Sequence, residues 1–261
     1  MTSDTSNDAT VPAVRGENTA NGDGVVGVGR RGVVGTSDTF QGVFGKSIDN
    51  AGVVGESDKL HGMFGVGHNP NGGGVFGTND TGGFGVIGVS EHGIGISGKG
   101  GKLAGRFEGD VEVTQVLRVA GDVQLTGADL AEQFGVVGKL AAEPGSVVVL
   151  AGDDRVRVSD EAYDHRVAGI VSGAGSYRPA IVLDRQPGGA RCPLALTGKV
   201  WCKVDADGGP VDVGDMLTTS PTPGHAMRAS DPARAFGAVI GKALGSLQSG
   251  RALVLVLVGL Q

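Results

Sequence analysis

The pattern Gly-apolar-apolar-Gly recurs through the first hundred residues. It runs GVVG from Gly24 and Gly32, GVFG from Gly42, GVVG from Gly52, GMFG from Gly62, GVFG from Gly74 and GVIG from Gly85. A looser eighth copy, GIGI, starts at Gly93, and successive starts are 8, 10, 10, 10, 12, 11 and 8 residues apart. A repeat of this length means one small supersecondary unit stacked many times. That constrains the fold more than any local propensity does.

Composition divides the chain at the same place. Of 50 glycines, 28 fall in residues 1–105, and after Gly105 the sequence is that of an ordinary β-rich domain. Each glycine costs about 0.5–1 kcal/mol relative to alanine in regular structure. The repeat's apolar residues offset that only if nearly all are buried, at about 1.5–3 kcal/mol each. A thin chain of ten-residue units cannot bury them against itself. Such a balance favours partner chains.

Between the apolar pairs lie TSDTFQ, KSIDNA, ESDKLH and TNDTGG, rich in the turn formers Ser, Asp and Asn. Each unit therefore reads as a short strand, a polar turn and another short strand. A single-chain β-helix needs nearer 18 residues per coil. Two arrangements fit: three chains each supplying one face of a shared prism, or one chain making a two-faced coil from pairs of repeats. The three-chain shaft is preferred, because spacings of 8 to 12 are absorbed in outward turns. The expected organisation is a flexible arm (1–20), a β-helical shaft (21–101), a β neck (102–126) and a β-rich head (127–261). In the head, nine short apolar runs punctuated by turns imply a sandwich or barrel. They are Ser146–Leu150, Arg155–Val158, Arg166–Val171, Ala180–Leu183, Leu194–Thr197, Lys199–Val204, Met216–Thr219, Phe236–Ile240 and Ala252–Val258. Short helices are expected only at Asp129–Phe134 and Pro232–Phe236. The fold class is all-β.

GVxG repeats, an AGRFEGDVEVT neck and a β-rich C-terminal domain resemble phage tail-fibre or neck-appendage proteins. The head opens with Ala128-Asp129-Leu130-Ala131-Glu132. That is similar to the Ser-Asp-x-x-Glu element of self-cleaving domains of the peptidase G2 type, where the serine is the nucleophile and the acidic pair assists. Asp129 and Glu132 match as remnant autoprocessing residues, but Ala128 stands at the serine's place. Without a hydroxyl there is no acyl transfer by that route. The resemblance implies an uncleaved head used for attachment or trimerisation.

Other residues carry weaker chemistry. His61, His68 and His92 sit beside glycine or polar turn residues and read as exposed turn histidines, so no metal site is assigned. Asp205-Ala206-Asp207-Gly208 supplies only the first ligands of a calcium loop and reads as a turn. Ser172, His165 and Asp184 lack nucleophile-elbow spacing. Trp201 and Tyr177 are candidates for sugar stacking, with packing the commoner role. Cys192 and Cys202 flank Thr197-Gly198. A hairpin there would let them pair, while one continuous strand would keep them apart.

A net charge of −6 without a basic cluster argues against nucleic acid. The longest apolar run, Ala252–Val258, is too short to span a membrane. MTSDTSNDAT has neither a charged nor an apolar leader region, so no secretory signal is expected. Synthesis in the cytoplasm, with export only on a particle, is the expectation. No cofactor and no catalytic residue are assigned. The expected function is a homotrimeric structural or adhesive fibre of a phage tail or contractile-injection-like particle, binding a cell-surface glycan or protein. The alternatives are a tailspike cutting polysaccharide with the repeat carboxylates (Asp38, Asp49, Glu56, Asp58, Asp80 and Glu91), or a monomeric β-solenoid binding scaffold.

Overall fold

The structure is a computed structural model and describes residue 5, residues 15–20 and residues 22–259. The arm expected over residues 1–20 lies largely outside the described residues. The chain divides into two compact units, Met1–Asp110 and Val111–Gln261.

In the first unit the glycines are dictated by close backbone approach. Each repeat's closing glycine lies against the opening glycine of the next: Gly35 against Gly42, Gly45 against Gly52, Gly55 against Gly62. A Cβ at Gly42 would lie 2.6 Å from the Gly35 carbonyl oxygen, and one at Gly52 2.7 Å from that of Gly45. Both are inside the 3.0 Å that real Cβ atoms essentially never breach. The loop between each glycine pair leaves and returns to the same point, so its length varies while the junction is kept. That absorbs the irregular repeat spacing. Side-chain oxygens close these loops. The Phe40, Asn50 and Leu60 amides donate to Ser37, Ser47 and Ser57 Oγ at 3.1, 3.2 and 3.2 Å, and the Gly83 amide donates to Asn79 Oδ1 at 2.9 Å. All four acceptors are the second residue of their loop, the local capture that makes Ser and Asn turn formers.

Among the described residues, no strand precedes Asp129, and every one up to Thr126 is exposed. The short strands expected over 21–101 and in the neck are therefore not formed within one chain. A strand exists only through hydrogen bonds to a neighbouring backbone, and one copy of each GVxG segment has no such neighbour.

The second unit contains one ten-stranded sheet. Its elements are β1 (Asp129–Val136), β2 (Val147–Leu150), β3 (Arg155–Val158), β4 (Val167–Val171), β5 (Pro179–Leu183), β6 (Arg191–Asp205), β7 (Met216–Thr219), β8 (Ala226–Arg228), α1 (Pro232–Ala235), β9 (Val239–Ala243) and β10 (Arg251–Val258). The order is β10-β9-β7-β8-β6-β4-β2-β3-β1-β5, with further pairings β10–β6 and β6–β1. Those two pairings close the ladder into two five-strand rings that share β6. One half of β6 pairs with β1, from Arg191 to Gly198; the other pairs with β10, from Gly198 to Asp205.

The buried apolar residues form two clusters, one of which draws on strands of both rings: Val147, Val167, Ile170 and Ala195 join it from β2, β4 and the first half of β6. Val200, Cys202, Val204, Leu217, Ile240 and Val256 are among its other residues. Val148, Val156, Ala168, Val171, Cys192 and Leu194 form the other, with Phe134 and Val136 packed against it. Along β10 the alternation is plain: Val254, Val256 and Val258 are buried while Leu253 and Leu257 face out.

The all-β class holds, and eight of the nine expected runs coincide in large part with strands. Two local expectations fail, and one open alternative is decided. Asp129–Phe134 is a strand, not a helix: Asp, Ala and Glu are poor strand formers, but backbone pairing with β6 along the whole segment and with β5 from Asp129 to Glu132 overrides the propensity. Thr197-Gly198 is not a hairpin turn. Strand β6 runs straight through it, with Gly198 at φ +109° and a bulge at Leu196. The run from Phe236 starts three residues late, because Asp231 caps a short helix there and Phe236 ends it.

The cysteines follow from the continuity of β6. Ten residues of strand at about 3.3 Å each put Cys192 and Cys202 about 33 Å apart along β6, in different clusters. A disulfide needs Cα atoms within about 7 Å. Both are free, and burial pushes their thiols up to about 11 and about 12.

Candidate functional site

The sequence points first to Asp129 and Glu132. In an extended strand, residues three apart point to opposite faces, so β1 separates the acidic pair that a helix would have brought together. Asp129 turns inward and is buried, while Glu132 is half-buried. The partner Asp129 does find is Ser172, whose hydroxyl donates to Oδ1 at 3.0 Å. Oδ2 is buried without a partner. Burial pushes the Asp129 carboxyl above its ordinary 3.8, with the Ser172 hydrogen bond pulling the other way. Beside it, the Ala128 amide donates to the Arg178 carbonyl at 3.0 Å, and the Ala128 carbonyl accepts from the Lys199 amide at 3.1 Å. Both backbone polar groups of Ala128 are thus held by backbone partners. No sequence signal linked Ser172 to Asp129; they are 43 residues apart.

A carboxyl whose folded pKa is raised costs stability when ionised, above that pKa, and nothing below the unfolded value. Asp129→Asn is therefore expected to gain stability relative to the parent protein as pH rises from about 4 to 8. The gain should fade as pH falls towards 4. Urea midpoints across that range measure it.

Asp164 has the opposite sign. It lies between β3 and β4, and its carboxylate accepts from Arg166 Nε at 2.9 Å and Nη2 at 2.7 Å. The Arg166 guanidinium holds it below 3.8 against the effect of burial, and Arg157 adds to this from 3.9 Å. Asp205 is also lowered. Burial alone would raise it, but hydrogen bonds from Thr222, the Asp207 amide and Arg251 outweigh that. A lowered folded pKa contributes stability above the unfolded value, lost as pH falls through the folded one. The unit is expected to lose stability on acidification below about pH 4. Asp164→Asn should cost about 1.5–3 kcal/mol at neutral pH, and the cost should shrink as pH falls through the folded pKa. The pH dependence of the urea midpoint in both proteins checks this.

The other candidates are spoken for by structural partners. Asp184 pairs with Arg191 at 3.4 Å, and Ser172 with Asp129, so Ser172, His165 and Asp184 are not brought together as a catalytic set. Arg191 also bonds the Gln133 carbonyl and Asp154, tying β1 to the β2–β3 turn. Asp207 accepts from the Gly250 amide at 3.1 Å, and Asp205 pairs with Arg251 at 3.2 Å, so the acidic turn pins a loop. Trp201 packs against Tyr177 with ring centroids 6.4 Å apart, and neither is an open platform. His61 stacks on Phe64 at 6.0 Å.

One surface feature escaped the sequence reading. A cleft of about 690 Å³ is lined by Met216, Pro232, Phe236 and Val239, with Asp215, Arg228 and Ser230 at its polar side. Arg228 Nε lies 3.4 Å from Asp215 Oδ2, and Phe236 is 88% exposed. An exposed aromatic ring beside an ion pair and a hydroxyl can hold a small ligand that is part apolar and part polar.

These observations define an all-β protein of two units: a repeat with glycine junctions, and a head whose sheet closes into two rings. No family model matches the chain, and no curated protein matches its sequence. The resemblance to self-cleaving domains therefore stands on Asp129 and Glu132 alone. Among solved structures, the chain is similar to the N base of head fibre gp8.5 of bacteriophage phi29, at 19% identity and a TM-score of 0.26. The match covers 51% of this chain and 90% of that one. No helix among the described residues is long and apolar enough to cross a membrane.

Proposed function

We propose that this chain is a structural and adhesive fibre component of a phage-tail-like particle. It assembles as a homotrimer: a glycine-repeat shaft made of three chains carries three heads that contact a cell surface or complete the trimer. One observation carries the reading. The head fills two apolar clusters from its own chain, while the apolar residues of the repeat are all exposed in a single chain. Regularly spaced, uncharged doublets left bare over seven repeats mark an interaction surface. In this reading the chain is not an enzyme, and the Ala128–Asp129 peptide stays uncut.

Sedimentation equilibrium is the test. The expected mass is three times 26.1 kDa. A mass of one chain overturns the trimer, and failure of the trimer to adsorb to any envelope fraction of bacterial cells overturns the adhesive role. Mass spectrometry should find the chain intact.

A further inference from the structure

We infer that the two residues of each doublet have different partners: the first packs on its own chain, and the second forms the seam to the neighbouring copies. This rests on the homotrimer reading and assigns its interface.

The first residues already have a place. Val43 Cγ2 lies 2.6 Å from where a Cβ of Gly35 would stand, Met63 Cγ 2.6 Å from that of Gly55, and Val86 Cγ2 2.7 Å from that of Gly77. Each repeat's closing glycine is the room that the next repeat's first doublet residue occupies. Successive residues of an extended segment point to opposite faces, so the second residues point away from this packing. In four central repeats they are also barer, whereas Val26, Val34 and Ile87 are no more exposed than the Val25, Val33 and Val86 that precede them. Phe44, Val54, Phe64 and Phe76 are 76–87% exposed, against 58–73% for Val43, Val53, Met63 and Val75.

Charge and repeat register favour another copy of this chain as the occupant. The doublets carry no charge; the acidic residues lie in the loops. Seven second-position side chains, three of them Phe, bury on the order of 700 Å² per chain. Divided between the two neighbours of a trimer, that is about half the ~800 Å² per partner of a stable specific interface, so area alone does not select the partner. A repeat every eight to twelve residues matches only a partner with the same repeat in register, and a copy of this chain has it.

The experiment uses the full chain. Phe64→Cys, oxidised, is expected to give chain dimers on a denaturing gel, and Met63→Cys is not. Phe64→Asp combined with Phe76→Asp is expected to reduce the mass from three chains to one. Leu60→Ser, in a loop, should leave it unchanged. The single tryptophan, Trp201, lies in the head, so its unchanged fluorescence shows that the head stays folded in each variant. Wild-type protein of one-chain mass overturns the homotrimer itself. A wild-type trimer that crosslinks through position 63 and not 64, or that survives the double aspartate variant, overturns the seam.

Discussion

Gly198→Val is expected to prevent the head from folding. Gly198 is where β6 passes from its pairing with β1 to its pairing with β10, opposite both Asp129 and Val258. Its φ of +109° lies in a region that side chains with a Cβ rarely adopt. A Cβ there would also stand 2.6 Å from the Ala128 carbonyl oxygen and 2.8 Å from Asp129 Cα. Both neighbours are backbone and cannot rotate away. The unfavourable dihedral costs about 1–3 kcal/mol. Relieving the overlap separates β1 from β6, so the total exceeds about 4 kcal/mol, a large share of a domain's stability. Valine adds two methyl groups beyond that Cβ to the same gap. Soluble yield and Trp201 fluorescence should both be lost. Gly208→Ala is the control: nothing lies within 4 Å of its Cβ position. It is expected to shift the urea midpoint negligibly.

Leu194→Ala should cost about 3–5 kcal/mol. Leu194 is 1% exposed and sits on the half of β6 that both β1 and β4 flank, opposite Glu132 and Val171. Its cluster is small, so few side chains are free to collapse into the space left behind. The cost should therefore fall near the upper end of the usual range. Equilibrium urea unfolding followed by Trp201 fluorescence measures it. Because Trp201 lies on the other half of the same strand, coincident loss of signal shows that the two rings unfold together. A variant that lost less than about 1 kcal/mol would show that the second cluster is loosely packed.

The glycine repeat and the all-β class were legible in the chain because each is written in local chemistry. Ser37, Ser47 and Ser57 close their own loops, and the Val-rich runs of β2, β4 and β10 alternate or fill as strands must. The candidate site was legible only in part. Asp129 was singled out, but its partner was not, since Ser172 reaches it through the placing of β1 across β6 and no spacing records that. β8, three residues long, lacked enough pattern to be seen.

What the sequence by itself determined is a stacked repeat with close backbone junctions, because only glycine fits where carbonyl oxygens approach so near. What tertiary structure decided is how the same kinds of signal are used in the head. Asp129–Phe134 has the composition of a helix and is a strand, because β6 pairs with the whole segment and β5 with Asp129 to Glu132. Thr197-Gly198 has the composition of a turn and is a bend within one strand, because β1 holds one half and β10 the other. In each case long-range hydrogen bonding outweighs a local preference worth less than about 1 kcal/mol per residue.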